Sequence, residues 1–329
     1  MSTPRTAEAR ELSDRTGAPG ESWASHVSRT TLEWVHGHQD SFRLPDDVLA
    51  PHTSVNRTLK PLGELAQLTF SIRERSSPGS QRHRRASALL DFAWEQTGQG
   101  RLFLELLRGE PFTTYPLEIY APFAAADLRH AGFEELAATV CGTHGWARLE
   151  QEPNRRLGVL NSERRVGFPP FGKPSAALAR TWLGGLPEPW TFERTAGYGL
   201  THVVFHLTDW GNAPHRMPAE LDTYLATWLP AWLDTCLEAE QWDLSCELLA
   251  VAACVPDDAS YSALARSIEA GWARIAAVQD AAGGFPEAGV GRPQEPPRDF
   301  ANCYHSTLVG AFAATLADVR PAAVRGGVT

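Results

Sequence analysis

The chain is nearly devoid of lysine. Only Lys60 and Lys173 stand among its 30 basic residues, set against 39 acidic ones for a net charge of −9. A dedicated nucleic-acid binder needs the opposite balance, because phosphate neutralisation supplies most of its affinity, and that class is excluded. No apolar run approaches the roughly 20 residues that span a bilayer, and the polar N-terminus has no signal-peptide core. No membrane partner is therefore expected, and the cytoplasm is the expected location. The five cysteines, Cys141, Cys236, Cys246, Cys254 and Cys303, form no C-x-x-C pair. That pattern argues against a zinc knuckle or a disulfide framework and predicts reduced thiols. Also lacking are a G-x-S-x-G elbow, an H-E-x-x-H helix, a P-loop and a G-x-G-x-x-G turn, the signatures of serine hydrolases, zincins, P-loop NTPases and dinucleotide enzymes. Arginine in place of lysine, with abundant alanine and glycine, fits translation of a GC-rich genome.

Apolar matter is plentiful. Hydrophobic residues make up 43% of the 329 and charged residues 21%, enough to bury a sizeable core in two domains or one large one. The 11 tryptophans suit broad helix packing or an aromatic-walled cavity. Residues 1–22 lack apolar periodicity and are expected to be a disordered arm, 23–320 the folded domain, and 321–329 a flexible tail. Between Gly and Pro punctuation the spacing predicts helices at 56–75, 86–97, 99–108, 115–130, 132–143, 175–183, 198–210, 219–238, 240–254, 259–278 and 304–317. Residues 76–85 read as an exposed connection, and 150–173 as an irregular loop or short extended piece. Alternating strand patterns are nearly absent, so the fold class is all-α. Polar residues recur on the helices near Glu118, His202, Asp243 and His305, and six helical hairpins of about 55 residues each would fill the chain. That is the scale of a closed ring of paired helices, an α/α toroid or related helical barrel with a central cavity.

One segment, Gly197 to Gly211, is the most specific stretch. At 100° per residue His202, His206 and Asp209 share one helical face, while Leu200, Val203, Leu207 and Trp210 cover the other. Two imidazoles at i and i+4 can reach one ion, with a carboxylate one turn later as third ligand or as acceptor of a ring N–H. The alternative is that these groups are solvated or pair with each other. Over 240–254, Asp243, Cys246 and Glu247 share a side that is costly to bury unless an ion, arginines or a polar ligand satisfies it. Glu118 is a lone carboxylate amid apolar residues; burial would raise its pKa and make it an acid or base, whereas pairing with an arginine such as Arg129 would make it structural. The paired aspartates Asp46-Asp47 and Asp257-Asp258 lie beside prolines and read as turns or caps.

A third element runs from Gln279 through Gly283-Gly284-Phe285 to Tyr304-His305-Ser306-Thr307. Gly283 and Gly284 permit positive φ after a helix, Phe285 can tuck under the turn, and His305 falls in the first turn of the next helix, where a neutral imidazole is favoured. This pattern resembles the closing hairpin of the α/α toroid shared by terpenoid cyclases and protein prenyltransferase β subunits. The resemblance implies a toroid and, by position, a zinc-ligand role for His305; the family's Asp-x-Cys ligands have no counterpart, since Asp243 and Cys246 stand three apart. The acidic and aspartate-rich motifs of the two cyclase classes are missing as well. The Leu-Thr-His-x-x-Phe-x-Leu-Thr-Asp-Trp-Gly segment resembles that of an actinobacterial domain family, which implies no activity.

The resulting expectation is an enzyme acting on a small, partly apolar molecule, with bacterial specialised metabolism as a setting. His202, Asp209 and His305 would hold zinc or iron(II), and His206, Glu247 and Glu118 would move protons. Tyr198, Trp210, Asp243, Cys246 and Tyr304 would line the pocket. A metal-free acid/base cyclase or isomerase and a non-catalytic binding scaffold are the alternatives.

Overall fold

A computed structural model describes residues 21–50, 53–256, 261–289 and 299–319, and every regular element among them is helical. The fold is all-α. Residues 1–20 of the expected arm over 1–22, the tail from 321 and the Asp257-Asp258 pair lie outside the described residues. None of the described helices is long and apolar enough to cross a membrane. The chain divides into two compact units, one of residues 38–221 and one formed by residues up to Gly37 together with those from Asp222 onward.

In the 38–221 unit the helices are α2 (Leu59–Arg75), α3 (Gln81–Gln96), α4 (Arg101–Gly109), α5 (Tyr115–Ala125), α6 (Ala131–Cys141), α7 (Pro153–Val166), α8 (Pro174–Leu178) and α9 (Arg194–Leu207). Helix α2 pairs with α3, α5 packs on both α2 and α7, and α7 carries α9 and α8 on its other flanks. An aromatic cluster of Trp94, Phe103, Tyr120, Phe123 and Phe133, with ring centroids 4.4 to 6.3 Å apart, locks α3 to α6 together.

Helix α7 corrects the expectation of a loop over 150–173. It begins where the Glu152 carboxylate accepts the N–H groups of Asn154 and Arg155, with Pro153 at the first helical position, and stops at Gly167 with φ +93°. Leu157 and Leu160 are buried, and Asn161, Ser162, Glu163 and Arg165 are buried with them. A helix that inters so many polar groups has almost no amphipathic contrast, which is why its apolar spacing is hard to see.

The other unit comprises α1 (Trp23–Gly37), most of α10 (Ala219–Glu238), and α11 (Trp242–Cys254), α12 (Ser262–Val278) and α13 (Tyr304–Asp318). Helix α13 packs on α1 and α11 and is buried along its whole middle, from Ser306 to Leu316. The turn after α12 is built as its residues imply. Gly283 has φ +97°, and a Cβ there would stand 2.5 Å from the carbonyl oxygen of Thr30, so only glycine fits. Gln279 donates to that glycine's carbonyl and to Thr30, and Phe285 is buried with its N–H held by Thr307.

Candidate functional site

Helix α9 buries Leu200, Val203, Val204 and Phe205 and turns His202 outward to solvent. His206 is half-buried, its ring 6.2 Å from that of His202 and edge-on to Trp210 at 6.0 Å. Trp210 also stacks on Phe205 at 4.9 Å, and Tyr198 lies beneath the guanidinium of Arg194. The helix ends at Leu207, not at 210. Asp209, Trp210 and Gly211 all take left-handed backbone angles, with φ of +55°, +56° and +78°. Asp209 therefore does not sit one turn beyond His206 on a helical face, and the shared-face geometry expected for His202, His206 and Asp209 does not form.

Two consecutive non-glycine residues at positive φ cost on the order of 1 kcal/mol or more each. Hydrogen bonds from Trp210 N–H to the Phe205 carbonyl and from Ala213 N–H to the Thr208 carbonyl, both 2.7 Å, over-determine the turn. Its consequence is to deliver the Asp209 carboxylate to α7. Oδ1 lies 2.6 Å from Arg165 Nε and 2.6 Å from Arg164 Nη2. Arg165 is buried, gives a second N–H to Gln67 at 2.6 Å and stacks over the Phe70 ring. Burial alone would lift the Asp209 carboxyl, but the two guanidiniums outweigh it and hold the group below the ordinary carboxylate range.

Glu118, on α5, is paired with Arg155 of α7 at 2.5 Å, while the expected partner, Arg129, is engaged by Glu134 at 3.0 Å. Burial pushes the Glu118 carboxyl up, with Arg155 and Thr114 opposing. Burial pushes the His206 imidazole well below its ordinary value, and positive charge on His202, Arg155 and Arg165 adds to the effect. Burial thus disfavours the charged form of both groups, in Glu118 against the pull of Arg155. Gly158 of α7 brings them to one point: a Cβ there would stand 3.1 Å from His206 Nε2 and 3.3 Å from Glu118 Oε2. Beside His206 opens a pocket of about 190 Å³. Leu157, Leu160, Pro174 and Leu207 supply its apolar wall, and Asn161, Arg164, His206 and Arg216 its polar part.

Asp243, Cys246, Glu247, Tyr304 and His305 belong to the other unit, where they form a second group. Asp243 Oδ1 lies 2.8 Å from His305 Nδ1 and is almost wholly buried. Such a carboxylate fixes the tautomer and orientation of the ring. Glu247 is buried one turn along α11, and Cys246 between them has its thiol raised well above the usual range, first by burial and then by the charges of Asp243 and Glu247. A thiol held protonated is a poor ligand and a poor nucleophile. Tyr304 stacks on Phe300. Among the described residues, no group of three or more His, Cys, Asp or Glu side chains is placed to hold a metal ion.

A family model described as a domain of unknown function, DUF6895, matches residues 28–315. The chain belongs to that family. No curated protein and no solved structure matches it. The match runs through both groups of polar residues, so the α7–α9 pocket and the Asp243–His305 pair both lie within the family's domain.

The residues missed in the sequence are Arg155, Asn161, Arg164, Arg165 and Arg216. Four of them sit on α7, and reading 150–173 as irregular removed them together. Pro153 after an acidic residue, leucines at 157 and 160, and Gly167 were the available signals of a helix start, a buried stripe and a stop.

Proposed function

We propose that the chain is an acid/base enzyme acting on a small, partly apolar molecule bound against His206. The observation that carries this reading is the convergence of His206 and Glu118 on Gly158, with His206 itself lining an apolar-walled pocket and burial disfavouring the charged form of each. A neutral imidazole facing a ligand is a proton acceptor, and a carboxyl with a raised pKa behind it is suited to hold or return the proton. Isomerisation or elimination, in which one proton is removed and one returned, is the reaction type such a pair serves. Arg155 keeps Glu118 in place without reaching the pocket wall.

The metal-dependent alternative, with zinc or iron(II) on His202, Asp209 and His305, has less support. The Asp209 oxygen that would ligate the ion already accepts two guanidiniums, and a divalent cation brought to it would meet both positive charges.

The test is turnover. Purified protein is incubated with a mixed extract of small bacterial metabolites, and consumed and formed masses are followed with and without a chelator. Turnover that survives chelation and is lost in His206→Gln, with the helical circular dichroism retained, is the expected result. No turnover at all, turnover indifferent to His206→Gln, or loss on chelation restored by zinc or iron(II) would each overturn the reading.

A further inference from the structure

Two arginines share one carboxylate beside this pocket, and a third stands near them. Arg164 and Arg165 share Asp209, and Arg216, close enough to depress the pKa of both, has no ion pair among the described residues. The Nη2 of Arg165 is buried with no hydrogen-bond partner. The cluster thus carries more positive than negative charge, and two of its guanidiniums, Arg164 and Arg216, line the cavity directly. Positive charge crowded in this way is stabilised when an anion joins it.

We infer that the pocket holds a small carboxylic acid, its carboxylate between Arg164 and Arg216 and its apolar body against Leu157, Leu160, Pro174 and Leu207. A carboxylate suits the fork of a guanidinium, with two parallel N–H···O contacts, and Arg216 is the guanidinium with that fork unengaged. Asn161 already accepts from Arg164 Nη2 at 2.7 Å, which holds that side chain in the pocket wall. A phosphate monoester, with twice the charge and a larger hydration shell, asks for more N–H donors than two arginines beside four apolar side chains provide. With the acid seated there, its carbon skeleton lies against His206. This assignment rests on the acid/base reading above for its catalytic meaning but not for its binding.

The experiment measures binding by titration calorimetry and saturation-transfer NMR with cyclohexanecarboxylate, isovalerate and benzoate, against benzamide and phenyl phosphate. At least one carboxylate is expected to bind tenfold or more tightly than benzamide and phenyl phosphate. Arg216→Gln, an exposed change that leaves the fold alone, should remove that preference, and raising the salt should weaken the acid and not the amide. No detectable carboxylate binding, equal binding of the amide, tighter binding of phenyl phosphate, or an unaltered preference in Arg216→Gln would overturn the inference. Binding is measured on the wild-type protein, independently of turnover. The two readings are therefore separable: binding without His206-dependent turnover removes the catalytic one, and turnover without carboxylate preference removes this one.

Discussion

Replacing Asp209 by asparagine probes the turn that makes the site. Asparagine keeps the size of the side chain and tolerates positive φ, so the backbone at +55° is not disturbed and only the charge is lost. Arg165, whose side chain is 2% exposed, then faces an amide, while Arg164, 40% exposed, can turn to water. Removing one partner of a fully buried pair costs about 3–5 kcal/mol; Asp209 keeps 15% exposure and Arg165 keeps its bond to Gln67 and its contact with Phe70, which lowers the expected loss to about 2–3 kcal/mol. For a unit of this size that is a fall in Tm of roughly 5–10 °C. Arg164→Gln, by contrast, should cost about 1 kcal/mol or less.

The pH dependence has a definite sign. The folded-state pKa of Asp209 is depressed, so its contribution is complete above the ordinary carboxylate pKa of about 3.9 and disappears as the pH falls through the lower folded value. Urea and thermal unfolding followed by circular dichroism should show a constant gap between wild type and Asp209→Asn from pH 5 to 8 that closes below pH 4. A gap under about 0.5 kcal/mol at pH 7, or one undiminished in acid, would refute the account of Asp209 as the anchor of Arg165. A carboxylate kept for an ion predicts the reverse, an ion-free protein that is indifferent to the change.

Gly158→Ala should leave the melting temperature equal or higher, since alanine favours a helix interior over glycine by about 1 kcal/mol. The new methyl would displace the His206 ring and Glu118 by a few tenths of an ångström, so turnover and His206 imidazole NMR shifts should change while stability does not fall. Glu163 is fully buried with one oxygen accepting from Trp146 Nε1 at 2.7 Å, and burial raises its pKa despite that bond. A raised carboxyl pKa makes the folded state lose stability as the pH climbs through it, so Glu163→Gln should be more stable than wild type by about 1 kcal/mol at pH 8 and equal to it near pH 4, read from urea midpoints. All five cysteines are buried thiols, Cys141 pushed up to about 12 and Cys236 to about 11, so a thiol reagent at pH 8 should label the native protein slowly and the unfolded chain at all five positions.

Much of the candidate site is visible in the residues themselves. His206 and Glu118 are legible because a histidine beside a wholly apolar helix back and a carboxylate among Pro, Ile, Tyr and Phe have few solvated places to go. The Asp243–His305 pair is foreshadowed in the same way, each residue standing in the first turn of a buried helix. Asp209 shows the limit. Its place at i+7 was counted on a helix that stops two residues earlier, because the backbone turns left-handed at Asp209 and the Trp210 N–H closes on the Phe205 carbonyl, and neither event alters the apolar spacing. The arginines of α7 were hidden for a different reason: a helix buried on several sides loses the polar face by which helices are recognised.

Local spacing and side-chain chemistry were enough for the helical class, the unpaired thiols, the glycine turn at 283 and the identity of the polar residues worth watching. Which of those residues meet was decided only by the tertiary structure. Asp209 faces Arg165 across 44 positions and His305 faces Asp243 across 62, and a charge chooses its partner by distance in space, which no local pattern encodes.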